Sequence, residues 1–372
     1  MPKTVAYGVS AWSRGAREGH LDGIGVYTRA LYEAMQRSSS DIVLTPYAFG
    51  ESVANMPCGD VRQLAPRVSV HLAKAALLKH TLHCDATLFH ATDHYIPRLN
   101  IPVVATVMDL IPFLHPEWVS SGFRALKNWL FKKSILSADH LITISEQSRQ
   151  DLIHHFGIDA AKITVTPLGV DSCYFDVISE EKRSETLQRY ALQQDFFLFI
   201  GTLQPRKNVA HLLDAHAMLP LELQRKHPMV IIGRNGWGVD ELLLRLRSLE
   251  ASGTVRWLDY VPQNDVIALL QSARALTFMS LYEGFGLPII EAFASNCPVI
   301  ASNTTSIPEV AHDAAILLDP NDAVALSQAM RQILENNDLI ATLKKNGQAR
   351  ARMFTWDACR EATLLAYQRV LG

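Results

Sequence analysis

The stretch ALTFMSLYEGFGLPIIEAFASNCPVIAS, residues 275–302, decides the fold class of this chain. It opens with a short apolar run, ALTFMS, which is too short for a helix and typical of a buried strand. A glycine-rich turn follows, and then a proline that suits the first turn of a helix. An otherwise apolar helical segment leads to a second strand-like run, PVIAS. Strands that alternate with helices in this way predict a parallel sheet.

Similar short runs recur along the chain on both sides of a polar segment, residues 171–195, which has no strand-like run. They include VAYGVS (5–10), IVLTPY (42–47), ATLFH (86–90), IPVVATVM (101–108), HLITIS (140–145) and ITVTPLGV (163–170) before that segment, and FFLFIG (196–201), MVIIG (229–233), VRWLDYV (255–261) and AAILLD (314–319) after it. The pattern predicts two α/β domains. We place them at residues 1–170 and 191–353, with a linker at 171–190. A C-terminal helix at 354–372, with Thr355 as its N-cap, could cross back to the N-terminal domain.

Composition excludes several classes of protein. The 372 residues are 48% hydrophobic and 19% charged, which is ordinary for a globular protein. The net charge of −2 lacks the basic excess of a nucleic-acid binder. Five cysteines without CxxC or Cys/His spacing indicate neither a zinc site nor a disulfide framework. No run approaches the ~20 apolar residues of a membrane span. We therefore expect a cytoplasmic protein with no nucleic-acid partner.

The turn GTLQPRKN, residues 201–208, directly follows a predicted strand. Gly201 allows a sharp turn, and Pro205 fixes the backbone before Arg206 and Lys207. Two adjacent cations at the start of a helix suit a diphosphate, because a guanidinium binds it bidentately and an ammonium acts as a point charge. The alternative is a solvated basic turn, and the position of the pair argues against it.

The turn LYEGFGLPIIEA, residues 281–292, also follows a predicted strand. Gly284 and Gly286 permit a close approach of the backbone to a ligand. Glu283 and Glu291 then converge on the start of a helix, where carboxylates can bind sugar hydroxyls. Stabilisation of the positive helix end would explain the acids alone. It does not explain the Gly-Phe-Gly-Leu-Pro sequence between them.

A weaker candidate, DGIGVYT (22–28), lies between the first predicted strand and the first predicted helix. Gly23 and Gly25 would let backbone N–H groups approach a phosphate. The segment lacks a complete GxGxxG, and no acid follows at the spacing of a nicotinamide site. A plain loop before a helix is an equal alternative.

Together these segments resemble the retaining glycosyltransferases of family 4. Their fold is GT-B, an α/β architecture of two Rossmann-like domains facing across a deep cleft. The run at 282–320 carries the resemblance, because it contains the E-x7-E motif of the family as Glu283 and Glu291. The sequence GTLQPRKN is similar to that of bacterial mannosyltransferases that use GDP-mannose.

The resemblance implies a role for each motif. The N-terminal domain would carry the acceptor side, and the C-terminal domain the nucleotide sugar. Arg206 and Lys207 would hold the donor diphosphate, Glu291 the ribose, and Glu283 the transferred sugar. Further donor contacts would come from Gly23, Gly25, Gly201, Tyr260, Val261, Gly284, Phe285, Gly286 and Leu287. The family needs no metal, and a GDP-sugar would be a substrate rather than a cofactor.

The sequence departs from the family after the strand IPVVAT, where many members have His-Asp and this chain has Met108-Asp109. Methionine cannot act as a general acid or base. Either His94, His90 or His115 supplies the polar contact instead, or the thioether packs on the methyl group of a 6-deoxymannose donor, GDP-rhamnose. For positioning the acceptor hydroxyl the candidates are Asp93 and Asp109. We favour Asp109 because it directly follows a predicted central strand.

The segment GFRALKNWLFKK, residues 122–133, combines aromatic, leucine and basic residues. Such a helix can lie on anionic lipid, which would suit an enzyme on the inner face of the plasma membrane. An ordinary helix packed on the sheet is the alternative.

We therefore expect a retaining, metal-independent hexosyltransferase. It would move an α-mannosyl or rhamnosyl unit from a GDP-sugar to a bacterial polysaccharide or a polyprenyl-linked glycan. The alternatives are a GT-B transferase or epimerase that uses a UDP-sugar, and an inactive partner in glycan assembly.

Overall fold

The computed structural model describes residues 3–37, 42–50, 56–65, 68–118 and 124–372. The chain forms two compact units. The first contains Met1–Gly169 and Thr355–Gly372, and the second contains Val170–Phe354. Each is built on a parallel sheet with helices in its connections, which confirms the predicted α/β class.

Within the described residues, the sheet of the first unit has seven strands in the order β3-β2-β1-β4-β5-β6-β7. Its strands are β1 Lys3–Gly8, β2 Ile42–Phe49, β3 Arg62–Ala65, β4 Leu88–Ala91, β5 Val103–Val107, β6 His140–Thr143 and β7 Ile163–Val165. The helices between them are α1 Ser10–Glu18, α2 Gly23–Arg37, α3 Val68–Leu78, α4 Ile111–Leu114, α5 Arg124–Leu136 and α6 Glu146–Phe156. Strands β4, β5 and β6 are buried at every residue, as expected where helices cover both faces of a parallel sheet.

The sheet of the second unit has six described strands in the order β10-β9-β8-β11-β12-β13. Its strands are β8 Phe197–Ile200, β9 Met229–Ile232, β10 Val255–Leu258, β11 Ala275–Phe278, β12 Val299–Ser302 and β13 Ile316–Leu318. Its helices are α7 Glu180–Arg189, α8 Val209–Ala217, α9 Leu221–Lys226, α10 Asp240–Ser252, α11 Gln263–Ser272, α12 Leu287–Ala294, α13 Ile307–Ala311, α14 Ala323–Glu335 and α15 Asn337–Ala351. The stretch at residues 275–302 therefore forms β11, α12 and β12, as predicted.

The last helix, α16 (Trp356–Leu371), belongs to the first unit. Thr355 is its N-cap, as predicted, and its side chain accepts a hydrogen bond from Ala358 N. The hydroxyl of Tyr367 lies 2.7 Å from His90 Nδ1, and His90 Nε2 lies 2.8 Å from Thr106 Oγ1. Burial lowers the pKa of His90 to about 3, so the ring is neutral. This buried network joins α16 to β4 and β5.

The residues predicted as a linker, 171–190, form part of the second unit instead. Within them α7 buries Thr186 and Leu187 and packs on α11. Arg189 closes that contact with an ion pair of 2.6 Å to Asp265. The prediction was wrong because the segment is polar and has no strand. An amphipathic helix on the outside of a sheet can have such a composition.

Candidate active site

The basic turn after β8 places Arg206 and Lys207 at the start of α8. Gly201 has φ +154°, a conformation that favours glycine. Pro205–Lys207 forms a single 3₁₀ turn. Asn208 ends that turn at φ +56°, and its side chain donates to the carbonyl of Pro320 over 2.8 Å. This anchor fixes the turn, and Lys207 is buried within it.

The acidic loop after β11 is fixed to the basic turn by main-chain contacts. Leu281 N donates to Arg206 O over 2.8 Å, and Arg206 Nη1 donates to Tyr282 O over 3.1 Å. Ser306 Oγ donates to the carbonyl of Glu283 over 2.8 Å. Gly286, at φ +107°, then turns the chain into α12. Two hydrogen bonds therefore join the basic turn to the acidic loop.

The side chains of these loops meet at Glu283. Lys207 Nζ lies 2.6 Å from Glu283 Oε1, and Arg206 Nη1 lies 3.0 Å from Glu283 Oε2. Burial would raise the pKa of Glu283, but the two cations outweigh burial and lower that pKa to about 2. Lys207 Nζ also lies 4.9 Å from the ring centre of Phe278 on β11. The cluster holds two positive charges and one negative charge, so a net positive charge remains for an anion.

Glu291 is the second acid of the segment that contains Glu283, and it lies on α12. Its pKa is raised to about 7, because burial, with a smaller contribution from Asp171, outweighs a hydrogen bond from Tyr174 that lowers the pKa. Tyr174 is itself buried and lies in the short 3₁₀ segment Ser172–Phe175. Tyr174 was not among the residues predicted from the sequence, because this segment was assigned to a linker. The aromatic pair in DSCYF, within a polar stretch, was the available signal.

The remaining donor candidates of the second unit lie on the same loops or nearby. Gly284, Phe285, Gly286 and Leu287 form the turn into α12, and Phe285 is buried against Phe354 with ring centres 5.6 Å apart. Tyr260 and Val261 follow β10. Val261 is buried, and the exposed ring of Tyr260 lies 5.2 Å from the Arg234 guanidinium.

The structure corrects the location of Gly23 and Gly25. They do not lie between the first strand and the first helix, because α1 occupies that place. Both lie in the first turn of α2, and Gly25 N donates to Asp22 Oδ1 over 2.8 Å. A Cβ at Gly25 would stand 3.0 Å from a methyl carbon of Leu21. Gly25 therefore lies close to Leu21, and a phosphate contact at Gly23 and Gly25 stays a prediction.

The other candidates of the first unit have structural partners. Asp109 follows β5, and its Oδ1 accepts from the N–H of Ile111, the first residue of α4, over 3.0 Å. Met108 is buried, with 6% of its surface exposed. His94 packs edge-on against Phe131, with ring centres 5.2 Å apart. His115 stacks on Trp118.

His90 lies in a buried hydrogen-bond network and not where it could contact a sugar. It was a candidate for the polar contact that methionine cannot make. Both of its ring nitrogens are occupied by Tyr367 and Thr106, and it is fully buried. We therefore correct that expectation: His90 is a structural residue.

Two features are absent from the part of the chain that the structure describes. No group of three or more His, Cys, Asp or Glu side chains is placed there to hold a metal ion. None of the helices in the described ranges combines the length and apolar character that a membrane span requires.

Comparisons with known proteins agree with this geometry. The family profile "Glycosyl transferases group 1" matches residues 182–350, and "Glycosyltransferase Family 4" matches residues 21–172. O-antigen chain mannosyltransferase B of Escherichia coli is 35% identical over 282 residues, which are 76% of this chain and 74% of that protein. The serotype-specific mannosyltransferase WbdA of Escherichia coli is 28% identical over 284 residues, 74% of this chain. The chain spans only 35% of the length of WbdA.

The fold has known counterparts among solved structures. WaaG, a glycosyltransferase involved in lipopolysaccharide biosynthesis, matches with a TM-score of 0.73 and 16% identity, over 99% of this chain and 100% of WaaG. Two parallel Rossmann-like units of this kind are the GT-B fold. The chain belongs to glycosyltransferase family 4.

Proposed function

We propose that this enzyme transfers an α-mannosyl unit from GDP-mannose to a growing bacterial glycan, with retention of configuration and without a metal ion. The observation that carries the proposal is the cluster of Arg206, Lys207 and Glu283, which offers two cations and one carboxylate at the ends of β8 and β11. The mannosyltransferase names of its relatives support the sugar.

The cluster of Arg206, Lys207 and Glu283 would supply the charge stabilisation that departure of the nucleotide requires. As the glycosidic bond breaks, negative charge grows on the diphosphate, and preorganised cations stabilise it. Arg206 and Lys207 would supply the charge that a metal supplies elsewhere. Glu283 would then exchange part of its contact with the cations for hydroxyls of the sugar. In a front-side reaction the acceptor hydroxyl passes its proton to the departing phosphate oxygen.

Glu291 would accept hydrogen bonds from the ribose hydroxyls. Its raised pKa, about 7, means that the protonated and ionised forms coexist near neutral pH. A ribose hydroxyl that donates to this carboxyl favours the ionised form, because hydrogen bonds to a charged acceptor lower its pKa. Tyr174 holds the carboxyl in place by its own hydrogen bond.

The choice between mannose and its 6-deoxy analogue concerns Met108. A thioether that packs on a C6 methyl group must reach the surface of its unit, and Met108 is 6% exposed. This burial, together with the relatives, favours mannose over rhamnose. In a competition assay read by mass spectrometry, we expect GDP-mannose to be turned over at least about tenfold faster than GDP-rhamnose or a UDP-sugar.

The same assay distinguishes the alternatives. Simple α-mannosides and rhamnosides serve as acceptors, and a parallel reaction omits the acceptor. Faster use of GDP-rhamnose or a UDP-sugar would overturn the donor assignment. Free product formed equally well without acceptor would indicate an epimerase. GDP binding without transfer or hydrolysis would indicate an inactive partner in glycan assembly.

We also propose that the enzyme works at the inner face of the plasma membrane on a lipid-linked glycan, with contact through α5. Leu126, Trp129 and Leu136 on this helix are exposed, and exposed Lys127 and Lys133 lie among them. Phe131, in contrast, packs inward. Gly122 and Phe123 of the predicted segment lie outside the described residues. A face with both apolar and basic side chains suits anionic lipid.

Sedimentation with phosphatidylglycerol vesicles tests this contact. We expect the enzyme to bind these vesicles in a salt-sensitive way, and Trp129→Ala to weaken binding by roughly 5- to 30-fold, the cost of one buried aromatic anchor at a lipid surface. Trp237→Ala is the matched control, since Trp237 lies in the other unit and is 38% exposed, against 39% for Trp129. Equal loss in the two variants would contradict the proposal.

A further inference from the structure

The strand order marks one position in each sheet where ligands are expected. In the second unit β8, β9 and β10 follow one another toward one edge of the sheet, and β11, β12 and β13 follow one another toward the other edge. The strand order therefore reverses between the neighbours β8 and β11. Ligands of open α/β sheets bind beyond the carboxyl ends of the strands at such a reversal. The loops after β8 and β11 carry Lys207 and Glu283, which follows this rule.

In the first unit the reversal lies between β1 and β4. The segment after β4 therefore occupies the position that corresponds to the Glu283 loop. Asp93 is the second residue after β4, whereas Asp109 follows β5, one strand away from the reversal. Topology thus ranks the two acids differently from the sequence, which favoured Asp109 because it directly follows a predicted central strand.

Asp93 is buried, and only one of its carboxylate oxygens has a partner. Its Oδ1 accepts from Tyr95 N over 2.9 Å, and its exposed fraction is 7%. Its Oδ2 is buried and has no hydrogen-bond partner. Among the described residues, no other aspartate or glutamate has a buried oxygen in that state. An unsatisfied buried acceptor is costly, so a native structure that keeps one calls for an explanation.

The surroundings hold Asp93 in place without satisfying this oxygen. The preceding residue, Thr92, donates to Gly8 O over 2.7 Å and lies 3.1 Å from the hydroxyl of Thr28. Burial raises the pKa of Asp93, and the backbone amides of Tyr95 and Ala11, together with His94 and Arg14, partly offset that rise. Arg14 itself is paired with Asp22 at 3.4 Å. These groups position the carboxylate, but none of them makes a hydrogen bond of normal length and angle to Oδ2.

We propose that Asp93, and not Asp109, accepts a hydrogen bond from a hydroxyl of the acceptor sugar through Oδ2. This inference rests on the proposed glycosyl transfer. A hydroxyl is the small donor that a sugar brings to such an oxygen, and the acceptor is the substrate expected on the first unit. Asp109 instead accepts a local hydrogen bond from Ile111 N at the start of α4. Asp93 therefore touches the substrate that receives the glycosyl unit.

The test compares Asp93→Asn with Asp109→Asn, using octyl α-mannoside as the acceptor and GDP-mannose as the donor. Asparagine keeps the size of the side chain and an oxygen for Tyr95 N. For Asp93→Asn we expect kcat/KM for the acceptor to fall about 10- to 100-fold, the worth of a hydrogen bond to a charged group. Hydrolysis of the donor without acceptor should stay at the wild-type rate. Asp109→Asn should change acceptor kcat/KM less than about threefold, because asparagine also offers an oxygen to Ile111 N and the loss of a local hydrogen bond affects mainly stability.

Deoxy derivatives of octyl α-mannoside give a second measurement on the wild-type protein, should Asp93→Asn fold poorly. For one of the deoxy derivatives, kcat/KM with the wild type should fall by a similar factor relative to octyl α-mannoside. With Asp93→Asn the same derivative should lower kcat/KM only a little. Unchanged acceptor kinetics in Asp93→Asn, or a parallel fall in donor hydrolysis, would overturn the inference. If the wild type uses no donor at all, the proposed function fails instead, so the two failures are distinct.

Discussion

Lys207→Ala should lower kcat about 10²- to 10³-fold at saturating GDP-mannose, comparable with removal of one donor from an oxyanion site. The reason is the position of Nζ, 2.6 Å from Glu283 and buried at the start of α8, where charge on the departing diphosphate would be stabilised. Steady-state kinetics at several donor concentrations separate this loss from weaker donor binding.

Lys226→Ala is the matched control for that substitution. It removes an exposed lysine from α9 of the same unit and should leave kcat unchanged. Lys207→Arg keeps the charge with a different shape, so we expect only partial activity. Wild-type kcat in Lys207→Ala would show that the basic turn is not part of the catalytic machinery.

Glu283→Gln should destabilise the protein by about 3–5 kcal/mol, because both cations lose their partner in a poorly solvated place. The pKa gives a similar figure. It falls from 4.5 to about 2 on folding, and at about 1.4 kcal/mol per pKa unit the ionised form contributes roughly 3 kcal/mol. Because the folded pKa is the lower one, this contribution is complete above pH 4.5 and is lost as the pH falls towards 2. Urea unfolding at pH 7 and pH 3 measures both effects.

An anion should partly rescue this variant. With the carboxylate removed, Glu283 no longer offsets the charges of Arg206 and Lys207, so GDP should raise the melting temperature of Glu283→Gln more than that of the wild type. Glu335→Gln is the control, since Glu335 forms an exposed ion pair with Arg331 at 3.2 Å and should matter by less than about 1 kcal/mol. A stability loss no larger in Glu283→Gln than in Glu335→Gln would contradict the importance of the cluster.

Local sequence was sufficient for the fold class and for the loops that carry the cluster. A strand followed by a glycine- or proline-rich turn and a helix is a local pattern, and GTLQPRKN and LYEGFGLP both have it. That β8 and β11 are neighbours follows from strand order, which no short segment encodes. The ion pairs of Glu283 with Arg206 and Lys207 depend on that adjacency, so the sequence indicated the residues without their mutual contact.

Other interpretations depended on segments that are distant along the chain. Asp109 was favoured because it directly follows a predicted central strand, and only the order of all seven described strands shows that β4, not β5, flanks the reversal. The glycines at 23 and 25 were placed between the first strand and the first helix, but α1 occupies that place and they begin α2. The helix α7 was interpreted as a linker because its segment is polar and has no strand. In each case the arrangement of distant segments determines what the local pattern leaves open.

The division of the chain has a consequence for biosynthesis. Residues 170–354 are continuous, so the second unit can fold once they have left the ribosome. The first unit, although synthesised first, must wait for α16 before His90 acquires the Tyr367 hydroxyl. Its sheet therefore lacks the covering helix α16 during translation of about half the polypeptide, a period in which chaperones would find exposed apolar surface.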